Sequence, residues 1–169
     1  MGDAELVGGS ITPLVMGSTV EAVVDSTKGC WRSAVGSSSY VAFRLPDITT
    51  PLIIKVRSEP VGGTLLVPRL VVLNARGEAL RDVPRDAFLF HGSALAVAIR
   101  LQSDDRYLVV ASDPAAVRQQ VSYTSGGNLI VPITPLHFAN IGRETTATYT
   151  LAHNGKVRVT LEALPTISR

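Results

Sequence analysis

Residues 70–80 read LVVLNARGEAL. Leu70 to Leu73 is apolar at four consecutive positions, so an extended segment there buries both of its faces, as a central strand covered on both sides does. The run then stops at Asn74-Ala75-Arg76-Gly77, and a weaker apolar pattern resumes at Ala79. Asn opens tight turns by bonding its own backbone, and Gly supplies positive φ without a steric penalty. The stretch therefore predicts a strand, a reversal and a second strand.

The flanking sequence repeats this with a period of two. YVAFRL (40–45) puts Val41, Phe43 and Leu45 on one face and Tyr40, Ala42 and Arg44 on the other. LIIKVR (52–57) sets Leu52, Ile54 and Val56 inward, with Lys55 and Arg57 away from the core. LAVAIRLQ (95–102) alternates Leu95, Val97, Ile99 and Leu101 with smaller or polar residues, and YLVVA (107–111) is again apolar on both faces. Breakers part these runs: Pro46-Asp47, Pro60 to Gly63, His91-Gly92-Ser93, and Ser103-Asp104-Asp105. Many short strands with turns at this spacing predict an all-β fold: an antiparallel, jelly-roll-like β-sandwich of eight or nine strands. Leu52, Ile54, Val56, Val71, Leu73, Val97, Ile99 and Val109 are its expected common core between two sheets. The sandwich is expected over residues 39–169, and residues 1–38 as an N-terminal extension with one or two strands packed on it.

Two further elements are expected. SDPAAVRQQV (112–121) has Ser112 or Asp113 as an N-cap and Pro114 at the first helical position, which predicts one short helix. At the C-terminus, TTATYTLA and KVRVTLEA flank His153-Asn154-Gly155. A two-residue turn would set Leu151 against Arg158 and Tyr149 against Thr160, wrong by one residue for strands of period two. A three-residue loop with Gly155 in a left-handed bulge pairs Leu151 with Val157 and Tyr149 with Val159, and is the expected register.

At 169 residues, 46% hydrophobic and 18% charged, the chain is an ordinary globular one with room for a core. Aromatics make up only 5%, so that core rests on Val, Leu, Ile and Ala. Sixteen Lys and Arg against 14 Asp and Glu leave a net charge of +2, with the basic residues scattered singly. That argues against a nucleic-acid footprint. No apolar run approaches the ~18 residues of a membrane-spanning helix. Cys30 is the only cysteine, which rules out an intrachain disulfide and leaves a packed thiol, a free thiol or an intermolecular bridge open.

Motifs that carry chemistry are missing. Around Ser93, FHGSAL has Gly92 but not the paired glycines of a nucleophile elbow. His91, His137 and His153 fall in separate expected loops, with no base-and-orienter pattern. Metal-ligand spacings are absent, and Asp104 and Asp105 read as turn residues. VGGT (61–64) and SGGN (125–128) lack the Lys and helix start of a phosphate cradle and read as flexible loops. No catalytic, metal or cofactor residue is therefore expected, and a non-enzymatic protein is. If such a sandwich binds a glycan, exposed aromatics are its usual platform, and the ligand-binding candidates are Trp31, Tyr40 and Tyr123.

The order of pieces YVAFRLP, PLIIKVRSE, VPRLVVLNARGEALRDV and RYLVVASDPAAVRQQV, over residues 39 to 163, resembles the C-terminal domain of the maltose-operon periplasmic protein (MalM) family. More distantly, it is similar to jelly-roll modules beside secreted bacterial peptidases. The first resemblance implies a Gram-negative periplasmic accessory or binding protein linked to carbohydrate (maltodextrin) uptake, with no catalytic residues to carry over. MGDAELVGGS lacks the basic and apolar regions of a secretory signal, which leaves a protein that stays inside the cell or a mature form whose leader has been removed, and the resemblance favours the second. The expected partner is a carbohydrate or an envelope protein, and the alternative function is an envelope protein–protein interaction or assembly module. A concave patch with an aromatic and convergent polar groups points to the ligand; an open sheet edge or apolar patch points to assembly.

Overall fold

The structure, a computed structural model, describes residues 5–7, 9–33, 36–134 and 137–165. Among the described residues, fifteen strands form three sheets. The first sheet runs in the order β1 (Glu5–Val7), β4 (Cys30–Ser33), β5 (Gly36–Arg44), β12 (Tyr107–Ser112), β8 (Pro68–Leu73) and β9 (Ala79–Val83), with β2 (Ile11–Pro13) parallel to β5. The second runs β10 (Leu89–His91), β11 (Ala94–Arg100), β6 (Leu52–Glu59), β15 (Gly155–Ala163) and β3 (Thr19–Val24), all antiparallel. The third holds the two longest strands, β13 (Gln120–Thr134) and β14 (His137–Ala152), with β7 (Thr64–Leu66) parallel to the end of β14. The fold is an all-β sandwich. Its strands outnumber the eight or nine expected because three-residue strands such as β2, β7 and β10 are too short to display a period.

The period-two strands meet where the alternation places them. Phe43, Leu70, Val72, Leu108 and Val110 of the first sheet share a buried cluster with Leu52, Ile54, Val56, Val157, Val159 and Leu161 of the second. Val97 and Ile99 pack against it partly buried. Val71, Leu73 and Val109 are buried as well, but not between the sheets. They lie on the outer face of the first sheet with Trp31, Tyr40, Ala42 and Ala111. The consecutive apolar residues of β8 and β12 thus serve two clusters, one on each face. The described residues before position 39 contribute four strands and the start of β5 to the sheets.

The turn after β8 forms as its residues dictate. The Asn74 side-chain oxygen accepts the N–H groups of Arg76 and Glu78, each at 2.9 Å, and Gly77 sits at φ +80°.

Three expectations fail for physical reasons. The helix at 112–121 does not form. Asp113 does accept the Ala115 N–H at 3.0 Å, but Arg118 then adopts φ +71° and gives its N–H to the Leu151 carbonyl at 2.8 Å. The strand ladder takes these groups before a second helical turn can. A three-residue 3₁₀ turn at Arg85–Ala87 is the one helical element among the described residues. SGGN (125–128) is no loop either: Ser125 to Asn128 lie in β13, opposite Thr145 to Gly142.

The C-terminal hairpin is also overturned. β14 and β15 do not pair: β14 belongs with β13 and β7, whereas β15 is inserted between β6 and β3. Only His153 and Asn154 carry the chain across. Gly155 is not in the left-handed region; it is required for closeness. A Cβ there would stand 2.5 Å from Leu66 Cβ and 3.2 Å from the Leu66 nitrogen, and Leu66 is fully buried.

The outer face of the second sheet is charged. Glu21 on β3 meets Lys156 (2.9 Å) and Arg158 (2.5 Å) of β15, which also face Glu59 of β6 at 3.7 and 3.4 Å. The hydrogen bond from Lys156, then that from Arg158, holds the Glu21 carboxyl below the ordinary carboxylate range.

Two outcomes follow. Gly155→Ala is expected to destabilise by about 1–3 kcal/mol in chemical denaturation, through overpacking against Leu66 and not through φ; unchanged stability would contradict the close approach. Because Glu21 is depressed in the folded state, its stabilisation is complete above its unfolded value near 4.5 and fades as pH falls through the lower native one. Tm followed downward from pH 6 is expected to drop less steeply below pH 4.5 in Glu21→Gln than in the parent.

Candidate functional site: the β13–β14 arm and the groove at its root

β13 and β14 leave the sandwich as a two-stranded arm. At its root the arm packs inward: Tyr149 and Leu151 are buried, and Val121 and Ala147 lean on the core. The Tyr123 ring stacks on Phe90 of β10, with centroids 5.0 Å apart and planes inclined by 26°. Past Tyr123 the burial of seven residues is described. Thr124, Ser125, Gly126, Gly142, Glu144, Thr145 and Thr146 are all exposed.

Between the arm's root, β10 and the 3₁₀ turn lies an open groove of about 730 Å³. Its floor is apolar, made by buried Val67, Phe88, Leu95 and Leu151. Leu89 stands on one wall and is 71% exposed, the most exposed large hydrophobic residue among those described. The rim is polar but largely self-satisfied. Arg69 grips Asp82 through Nε, at 3.0 and 3.1 Å, and through Nη2; Arg85 Nη1 donates to Gln119 Oε1 at 3.1 Å. The Asp82 hydrogen bond raises the Arg69 pKa further, despite partial burial. The groove therefore presents an apolar trough beside a sheet edge, rimmed by the Arg69–Asp82 pair and by Arg85, Asp86 and Asp113. Its open, elongated form suits an extended segment better than a compact ion.

The candidate aromatics are not brought together. Trp31 is only 5% exposed in β4, a strand that its sequence does not announce, and the Arg69 guanidinium lies 5.1 Å from its ring centroid. Tyr40 occupies the face of β5 that alternation marks as non-core, yet it is 3% exposed, because the first sheet carries a cluster on that face too. Its hydroxyl accepts the Gly9 N–H at 3.1 Å, and its ring fills the space where side chains on Gly9 or Gly29 would lie. Tyr123 alone is near the groove, with its ring against Phe90. Of the histidines, His91 ends β10, His137 begins β14 and His153 lies in the link to β15. Cys30 is half-buried. Among the described residues no group of His, Cys, Asp and Glu could hold a metal ion, and no helix is long and apolar enough to cross a membrane.

Sequence reasoning missed the groove residues Phe88, Leu89, Phe90 and Arg69, and also Asp105. The wholly buried Asp105 carboxylate accepts the Gln102 N–H at 2.8 Å and a hydrogen bond from Arg81, clamping the turn before β12 onto β9. One signal for the arm was available: from Val121 to Gly142 the sequence contains no Asp, Glu, Lys or Arg.

No family model and no curated protein matches the chain. Among solved structures it is similar to the pre-peptidase C-terminal domain of a collagenase from Bacillus anthracis, at 7% identity and a TM-score of 0.41, covering 90% of this chain and 95% of that one. A likeness of that degree bears no argument about function.

Phe90→Ala removes the ring on which Tyr123 rests. We expect amides of Val121 to Thr124 to exchange severalfold faster, consistent with about 0.5–1.5 kcal/mol for an aromatic pair, while β6 and β15 amides keep their rates. Equal acceleration throughout would mean that the stack supports the whole sandwich and not the arm.

Proposed function

We propose that this chain is a non-catalytic protein-interaction module of the bacterial envelope, in the periplasm, and that it engages its partner through the β13–β14 arm. One observation carries the reading: a ribbon edge whose described residues past Tyr123 are exposed runs on a sequence that lacks charge. Among the described residues, β13 ends its sheet, and β14 is paired on its outer side at Thr150–Ala152. An isolated two-stranded ribbon is marginal in water, and exposed edges are ordinarily blunted with charge, especially Lys. Between Val121 and Ala152 the only charged residues are Arg143 and Glu144. The periplasmic setting rests on the resemblance of the strand sequences to the maltose-operon periplasmic proteins.

A second reading, an accessory to maltodextrin uptake, draws support from the groove, where Phe90 stands beside Arg69, Asp82 and Gln119. It no longer draws on Trp31 or Tyr40.

The test places a photo-reactive residue at Thr124, exposed on the arm, and at Thr160 on the second sheet as control, in the full chain expressed in a Gram-negative periplasm. The expected result is a discrete protein adduct from Thr124 and none from Thr160. No adduct from the arm, with calorimetric maltodextrin binding that Phe90→Ala abolishes, would replace this reading with the second.

A further inference from the structure

We propose that the outer face of the second sheet carries a docking strip for an acidic, extended segment of a partner protein, running from Leu89 on β10 across Ala96 on β11 to Arg57 on β6. The strip lies apart from the arm and does not depend on the arm reading.

Two residues of this face are out of keeping with the rest, and they stand in one row. Leu89 is opposite Ala96, Ala96 opposite Arg57, Arg57 opposite Arg158, and Arg158 opposite Glu21. Val56 and Val159 are fully buried in the core, so alternation turns Arg57 and Arg158, and with them Ala96 and Leu89, to the outside. Leu89 is the first anomaly, an apolar side chain 71% exposed.

Arg57 is the second. Its neighbours Lys55, Lys156 and Arg158 are each met by a carboxylate: Lys55 by Glu162 at 2.6 Å, and the other two by Glu21 and Glu59. Those glutamates are thereby engaged. Arg57 has no ion pair or hydrogen bond among the described residues, and its Nε is shut off from water without a partner. Arg100 on the same face also lacks a carboxylate, but it is exposed, and water serves it. Arg57 is only partly exposed, keeps its charge at any ordinary pH, and has a like charge directly opposite on β15. A donor closed to water and bonded to nothing is the mark of a missing partner.

One occupant answers both anomalies. A carboxylate set over the row meets the planar fork of Arg57 in a charge-assisted, bidentate pair. Leu89 lies two strand spacings away, about 10 Å, and Ala96 between them is too short to obstruct a chain laid across the sheet. In an extended segment, residues two apart face the same side at about 7 Å, so an apolar residue and an Asp or Glu two positions on span the row with the reach of their side chains. The outer face of a sheet is no cleft, and a small carboxylate there would keep most of its surface in water. A protein segment adds contact on both sides of the pair. The strip ends at Arg57; beyond it Thr160 on β15 is bonded to Thr19 at 2.9 Å, outside the contact.

The test titrates the full chain with capped eight-residue peptides of Ser and Thr that carry one Leu and, two positions on, one Glu. Amide shifts of β10, β11 and β6 are followed by NMR. The expected result is saturable shifts centred on Ala96 and Arg57, with binding about tenfold weaker when Gln replaces the Glu of the peptide. Arg57→Gln is expected to bind the two peptides equally, Lys55→Gln to keep the preference for Glu, and Leu89→Ser to weaken both peptides alike. Thermal melts verify that each variant folds. Arg57→Lys, which keeps the charge and loses the fork, is expected to recover part of the preference. No saturable shift with any peptide, equal binding of the Glu and Gln peptides to the parent, or a preference that Lys55→Gln removes as fully as Arg57→Gln overturns the site. Octanoate bound at the same amides as tightly as the peptide overturns a protein segment as its occupant. A peptide that binds here while Thr124 gives no adduct rejects the arm reading alone.

Discussion

In two residues, His153 and Asn154, the chain passes from the end of the arm into the middle of the second sheet, and it does so with Gly155 pressed against Leu66. The geometry of that crossing sets the rest. β15 must lie between β6 and β3, because Val157, Val159 and Leu161 are fully buried there and complete the core. β14 is thereby denied β15 as a partner, although the two are adjacent in sequence. It pairs instead with β13 on one side and briefly with β7 on the other. Leu151 fixes the root, its N–H on the Gln119 carbonyl and its own carbonyl accepting from Arg118, both at 2.8 Å.

The sandwich and the arm solve the problem of exposed strands in opposite ways. On the second sheet, Glu21, Glu59, Lys156 and Arg158 cover the outer face with alternating charge. Each such pair contributes little to stability, since water and salt screen exposed charges. What they secure is a face that stays wetted and does not stack on another sheet. Between Val121 and Ala152 the arm's sequence offers only Arg143 and Glu144 for such a lattice.

Much of the fold was legible in the sequence, because period-two alternation is a local signal and the core obeys it. Leu52, Ile54 and Val56 are inward as read, Asn74 to Gly77 is the turn its residues demand, and the doubly apolar runs of β8 and β12 are covered on both faces. What failed was tertiary. Asp113 and Pro114 are good helix-start residues, but the Leu151 backbone claims Arg118 first. The pairing arithmetic around Gly155 was sound for a hairpin, yet it could not see that β6 and β3 compete for β15. Gly126 and Gly127 look like a loop until a partner strand gives their backbone a ladder. The groove was illegible for a simpler reason: its floor and walls come from segments near positions 67, 88–95, 120 and 151, so no motif records it. Leu89, left exposed between buried Phe88 and half-buried Phe90, was its one local trace.

The central claim is that the arm beyond Tyr123 is an interaction element that its own sandwich holds less firmly than the core. Amide hydrogen exchange on the intact chain tests this most directly. Amides of Thr124 to Gly126 and of Glu144 to Thr146 are expected to exchange orders of magnitude faster than those of β6 and β15. Exchange there as slow as in β6 would contradict the claim, since the ribbon would then be stable without a partner.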